Sequence, residues 1–317
     1  MPKRVIEQRL DQIRRLAHAM PNAETSIALK KALEDRSNVV VAQAARVAAG
    51  LQLKPLIGDL LASFDRMLEN GAAVDPQCRA KLAIIDALKR LDYSESAVFL
   101  RGLRHIQMEP VYGGHEDTAP KLRGTCTLAL ASCTDLTRRE VLHHVIEALT
   151  DRSEPVRVDA ARALEQFEGE ESALLLRLKA KIGDSHSDVV GQVFESLLNL
   201  EGEQGLPFVS GFLESPNIEV CEEAALAIGS SRLPKALTVL KDAWSRERSR
   251  PRGYVLLRMI SASGRPEAID FLLSLIQEGE LRDKNAAIKA LELHRDSRDI
   301  AQRMAEAIRK RPKDASA

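Results

Sequence analysis

The most constraining feature of this sequence is a pattern that recurs eight times at intervals of 31 to 42 residues. Its clearest copy is DRSEPVRVDAARALEQF at residues 151–167: an Asp-containing turn, a Val-Arg pair, two small residues and an Ala-Leu pair. Marking the second small position in every copy gives Ala45, Ile85, Thr127, Ala161, Phe194, Ala225, Leu257 and Ile288. A fixed period of this length implies stacked supersecondary units, each burying its apolar face against its neighbours, in place of one closed core. Ahead of each turn lies an apolar stretch with helical spacing, such as Val141, Val145, Ile146 and Leu149, so each unit reads as helix, turn, helix. Pro55, Pro155, Pro207, Pro216, Pro234, Pro251 and Pro266 fall at or near expected helix starts, where a missing N–H is tolerated. No stretch alternates in the manner of a strand, and the sequence predicts a chain that is nearly all helix.

Composition fits this reading. Only 3% of the 317 residues are aromatic, too few for two ordinary globular cores, whereas small Ala pairs let neighbouring helices approach closely. The Asp turn, the Val-Arg and the Ala-Ala-x-Ala-Leu of residues 151–164 resemble HEAT repeats, in the short variety of bacterial HEAT-like and phycobilin-lyase-type proteins. The resemblance spans about residues 22–307 and implies an all-α, right-handed α-α superhelix of about eight helix pairs. In such repeats the turn Asp and the Arg form a ladder. Asp35, Asp151 and Asp184 match the Asp and only Arg157 matches the Arg, with Val40 and Val190 in its place elsewhere, so an incomplete ladder is expected.

The expected organisation is an N-terminal capping helix at 1–21, a solenoid at 22–298, a C-terminal capping helix at 299–311 and a tail at 312–317. Ile6, Leu10, Ile13 and Ala17 supply one apolar face at the first cap, and Ile300, Met304 and Ile308 do so at the second. The first twenty residues lack the apolar core of a secretory signal, and no window is long and apolar enough for a membrane span. A cytoplasmic protein without membrane association is expected. Cys78, Cys126, Cys133 and Cys221 contain no CxxC pair and read as small buried hydrophobes.

The longer early intervals place an insertion at residues 107–124, read as a loop on one face. It carries Tyr112, the Gly113–Gly114 pair, His115, Glu116, Asp117 and, just inside the next helix, Arg123, a density of hydrogen-bonding groups suited to partner binding. The bland alternative is a solvated loop in which Asp117 or Thr118 caps the next helix. The HEAT-like enzyme deoxyhypusine hydroxylase binds iron through several His-Glu pairs, whereas His115–Glu116 is the one such pair in this sequence. His143 and His144 point about 100° apart on a helix, poorly placed to share a metal. Neither a metal nor a cofactor is expected. There is no GxGxxG, GxxxxGK[ST] or GxSxG motif, so nucleotide and acyl-transfer chemistry have no visible seat.

One residue past each marker, the second helices present Arg46, Asp86, Leu128, Arg162, Glu195, Leu226, Arg258 and Lys289 to the expected concave side. A phosphate track is continuously basic and this row is mixed, which disfavours the nucleic-acid binding of HEAT-like DNA glycosylases and favours a protein or peptide. The formal charge of zero conceals an acidic block: residues 182–231 hold no Lys or Arg. A basic seventh repeat follows, with Arg246, Arg248, Arg250, Arg252 and Arg258, able to bind carboxylates or phosphates or to pair with the acidic repeats. That juxtaposition also suggests electrostatic self-association of repeats five and six with repeat seven. The expected function is a non-enzymatic scaffold holding a protein or peptide in its concave face. The alternatives are a lyase of the phycobilin-lyase type, for which Tyr112, His115 and Asp117 are the residues to watch, a HEAT-like hydroxylase or a DNA-binding protein.

Overall fold

The computed structural model describes residues 3–18, 20, 22–69, 71–247 and 251–310. Among the described residues the fold is all-α apart from one short hairpin, and the chain divides into two compact units, residues 1–167 and 168–317.

The first unit contains α1 (Lys3–Leu16), α2 (Ala23–Leu33), α3 (Asn38–Gly50), α4 (Ile57–Glu69), α5 (Gly71–Val74), α6 (Arg79–Arg90), α7 (Ser96–Leu103), strands β1 (Met108–Val111) and β2 (Gly114–Asp117), α8 (Pro120–Leu130), α9 (Arg138–Leu149) and α10 (Glu154–Phe167). Its inner layer is the series α3, α6, α8 and α10, each packed on the next, with α2, α4, α7 and α9 outside. The second unit contains α11 (Gly169–Ile182), α12 (Ser187–Glu201), α13 (Leu206–Ser210), α14 (Ile218–Ser230), α15 (Ala236–Glu247), α16 (Pro251–Ala262), α17 (Pro266–Glu278), α18 (Leu281–Leu291) and α19 (Arg298–Lys310). There α12, α14, α16 and α18 form the inner series. At the two ends α1 packs on α2 and α3, and α19 packs on α17.

The repeat marker fixes this packing. Ala45, Ile85, Thr127, Ala161, Phe194, Ala225 and Leu257 are all buried at inner-helix contacts, and only Ile288 is half-buried. Pro120, Pro251 and Pro266 open α8, α16 and α17 at positions whose N–H has no intrahelical partner. Thr137 and Glu140 close a reciprocal capping box at the start of α9, satisfying two further orphan donors. Cys78, Cys126 and Cys221 are buried and Cys133 half-buried, and burial pushes the Cys78, Cys133 and Cys221 thiols up to about 11. They pack as small hydrophobes.

The ladder is more complete than the sequence motif suggests. Ten residues before the marker stand Asp35, Asp75, Asp117, Asp151 and Asp184, and four before it stand Lys81, Arg123 and Arg157 in three successive repeats. Asp35, Asp117, Asp151 and Asp184 each accept the backbone N–H two residues on, at 2.8, 3.0, 2.8 and 3.0 Å, closing the turn before the inner helix. Asp75 spans a three-residue 3-10 turn, in which Gln77 and Cys78 take φ of 60° and 50°, and accepts the N–H groups of Ala80 and Lys81. The rungs join neighbours: Asn38 donates to Asp75 at 3.0 Å, and Arg123 forks onto Asp151 of the next repeat. Lys81 and Arg123 therefore belong to the ladder alongside Arg157. The short motif hides them because Lys replaces Arg at one position and an insertion separates Asp117 from its outer helix.

Candidate functional site

The insertion is a β-hairpin rather than a loop. Its strands are antiparallel, with Met108 opposite Asp117, Glu109 opposite Glu116, Pro110 opposite His115 and Val111 opposite Gly114. Four-residue strands are too short for alternation to stand out, and Pro110 masks the pattern further. The turn forms because Gly113 takes a φ of 89°, open to glycine at little cost.

The base of this hairpin is held by a buried polar network. Lys81 is wholly buried, and its ammonium donates to Gln107 Oε1 at 2.8 Å and Met67 O at 3.2 Å and lies 3.4 Å from the equally buried Asp75 carboxylate. The Gln107 side-chain amide donates in turn to Asp75 O at 2.9 Å and Glu109 Oε1 at 2.7 Å. That Glu109 oxygen also accepts the Gln77 N–H and the Thr118 hydroxyl, each at 2.6 Å. Burial opposes the charge on Glu109, but the bonds from Thr118, Gln107 and Gln77 outweigh it and hold the carboxyl below the ordinary glutamate range. On the other strand, Arg123 donates to Asp117 at 2.6 Å, to His105 O at 3.1 Å and to both oxygens of Asp151 at 2.9 and 3.0 Å. Desolvation of Asp117 is likewise outweighed, by the Ala119 N–H, Arg123 and the Gln107 N–H, and its pKa is lowered.

A pH dependence follows from the depressed Glu109. Its stabilising contribution is complete above the unfolded glutamate pKa of ~4.3 and is lost as pH falls through and below that value. Glu109→Gln is expected to flatten the acid limb of stability between about pH 5 and 3, read as the urea midpoint against pH. An unchanged limb would remove Glu109 from the seat.

The tip is the opposite of the base. Tyr112 is fully exposed and Val111 beside it is exposed too, while Ile106 and Met108 are exposed apolar residues at the base end. His115 and Glu116 are exposed on β2. The five residues singled out around the insertion thus separate into two groups. Tyr112, His115 and Glu116 stand free on the hairpin, whereas Asp117 and Arg123, expected to bind a partner, are ladder residues engaged internally, with Arg123 only 5% exposed. The buried Lys81, Asp75 and Gln107 and the half-buried Glu109 were not singled out. The signal for the first two was the offset from the marker.

The inner row is as exposed as its register implies. In the first unit Arg46, Asp86 and Arg162 are exposed and Leu128 is half-buried. Desolvation raises the Asp86 pKa against the opposing pull of Lys89, Lys121, Arg46 and Arg90. Asp159, 3.2 Å from Arg162, is raised for the same reason, and its carboxylate lies over Gly124, where a Cβ would come within 2.3 Å. Asp86 and Asp159 share Lys89 and Lys121 as neighbours, giving this face a mixed set of charges.

In the second unit Glu195, Leu226, Arg258 and Lys289 are exposed, with the Lys289 ammonium 4.8 Å from the Tyr254 ring. Arg246 lies 3.6 Å from Glu214, Arg252 donates to Ser215 O at 2.8 Å and lies 3.8 Å from Glu247, and Lys235 meets Glu203 at 2.8 Å. The basic repeat thus directs Arg246, Arg252 and Lys235 to partners within its own unit, each with one in the acidic block. Arg248 and Arg250 lie outside the described residues.

Among the described residues no group of three or more His, Cys, Asp or Glu is placed to share a metal ion, and no helix is long and apolar enough to cross a membrane.

No family model matches the sequence and no curated protein matches it. Solved structures of similar chain organisation include the complex of CpcE and CpcF of phycocyanin lyase from Nostoc sp. PCC7120, at 18% identity and TM-score 0.34, covering 92% of this chain and 96% of that one. Human deoxyhypusine hydroxylase in complex with glycerol is 17% identical with TM-score 0.27, over 92% of this chain and 98% of that one. An engineered protein is 16% identical with TM-score 0.23, over 89% and 95%.

Proposed function

We propose that the chain is a non-enzymatic scaffold that binds a protein or peptide segment through its first unit, with the hairpin at residues 108–117 as the leading contact. The observation that carries this reading is the contrast between base and tip. A buried Lys-Asp pair is costly to desolvate, and here it fixes a hairpin whose outer end is solvated and tipped by Tyr112. Preorganisation of this kind lowers the ordering cost of association, and a rigid exposed aromatic is the residue type that dominates binding energy at interfaces. The mixed charges of Arg46, Asp86, Lys89 and Arg162 suit a polypeptide carrying both signs better than a polyanion.

The test places a photoreactive phenylalanine analogue at Tyr112 and, as a control, at the exposed Arg139 of α9. The Tyr112 site is expected to yield a discrete adduct in cells, competed by excess unlabelled chain. Competition by the Tyr112→Ala variant should be weaker by about 10- to 100-fold. Identical adducts at both positions, or equal competition by Tyr112→Ala, would count against the hairpin as the contact.

A further inference from the structure

One bond at the base of the hairpin fixes the phase of hydrogen bonding along it. The Thr118 N–H donates to Gln107 O at 2.9 Å, one position beyond the Met108–Asp117 pair. Bonded and non-bonded pairs alternate along an antiparallel ladder, so Glu109–Glu116 and Val111–Gly114 carry the other cross-strand bonds. The backbone groups of Met108 and Pro110 therefore point away from β2, and those of His115 and Asp117 point away from β1. The two edges that result are unequal. On the β1 side Pro110 has no N–H to offer, a device by which edge strands discourage pairing. On the β2 side His115 presents both its N–H and its C=O, and Asp117 its N–H, on a strand whose Gly114, His115 and Glu116 are all exposed.

Donors and acceptors alternating along a strand edge are matched by the backbone of an extended polypeptide. Charge narrows the sequence of that segment. Residues 106–120 hold no Lys or Arg, and Glu109 and Asp117 are engaged at the base, whereas Glu116 is exposed. An antiparallel segment bonded to His115 and Asp117 sets one of its residues opposite Glu116 in a non-hydrogen-bonded pair, where Cα atoms approach to ~4.5 Å and side chains meet. A second copy of β2 would bring acid against acid there. We propose that the segment bound at the hairpin adds to the β2 edge as a third, antiparallel strand, with a lysine or arginine opposite Glu116. The assignment rests on the hairpin being the leading contact of the scaffold.

The probe is a short blocked peptide alternating valine and lysine, added to the full chain at about 1–10 mM, a range suited to so short a strand. Amide exchange read residue by residue by NMR is expected to slow severalfold at His115 and Asp117, and not at Glu116, whose N–H is already bonded within the hairpin. The same peptide N-methylated at its valines, which face His115 and Asp117, should have no effect. Glu116→Lys leaves the backbone intact and should weaken the slowing severalfold. No slowing, equal slowing by the N-methylated peptide, or indifference to Glu116→Lys overturns the proposal. In cells, His115→Pro removes the outward N–H without breaking a cross-strand bond and should lower the Tyr112 adduct at least tenfold, whereas Met108→Pro, on the opposite edge, should leave it. A specific Tyr112 adduct that survives His115→Pro, or is lost equally with either proline, overturns strand addition at β2 and leaves the hairpin as the contact. Absence of any specific adduct at Tyr112 overturns both.

Discussion

Lys81→Met is expected to lower the stability of the first unit by ~3–5 kcal/mol, the usual consequence of leaving a buried partner charge uncompensated. Both Lys81 and Asp75 are wholly buried, so no water replaces the lost ammonium at the carboxylate. The methionine stem fills most of the volume, which separates the charge effect from a cavity effect. Asp75 keeps its bonds from Asn38, Ala80 and the backbone of residue 81, so the turn is weakened rather than abolished. Adding Asp75→Asn to Lys81→Met is expected to return part of the loss, because a neutral amide is far less costly to bury than an unpaired carboxylate. Urea unfolding measures the loss. Hydrogen exchange over residues 106–119 should rise with it, since Gln107 loses the donor that orients it. A loss below about 1 kcal/mol would mean that the pair behaves as a surface pair does.

Arg123→Met is expected to cost about 2–4 kcal/mol and to loosen two places at once. The guanidinium holds Asp117 at the hairpin exit and forks onto Asp151 in the next repeat, and both carboxylates are left unpaired when it is removed. Their side chains are 24% and 18% exposed, so water compensates in part and the effect is smaller than at Lys81. Arg123→Lys should recover less than half, because an ammonium cannot serve His105 O, Asp117 and both Asp151 oxygens together. Faster exchange confined to the hairpin, with none at the Asp151 turn, would show that the inter-repeat fork contributes nothing.

Much of the architecture was legible in single residues. The marker positions from Ala45 to Leu257 are the buried inner-helix contacts, and the prolines mark helix starts. The hairpin was legible as an insertion with a Gly-Gly turn, but not as strands, because its stability comes from Lys81 and Asp75, which lie more than twenty residues upstream of it. Asp117 and Arg123 looked like binding residues for the same reason that they are structural: charged groups near an insertion read alike until burial separates them. The basic seventh repeat reads from sequence either as a cluster open to a partner or as one that pairs with the acidic repeats, and Arg246 and Arg252 find their partners in the chain that precedes them.

The sequence by itself determined the helical repeat, its period and the inner row, because periodic burial is a local property that every copy of the repeat states again. Only the tertiary structure decided which charges are spent inside the protein and which are left for others. Lys81 and Tyr112 show why: one is sealed beneath a hairpin and the other stands at its tip. Desolvation depends on what packs against a side chain, and no count of charges along the chain contains that information.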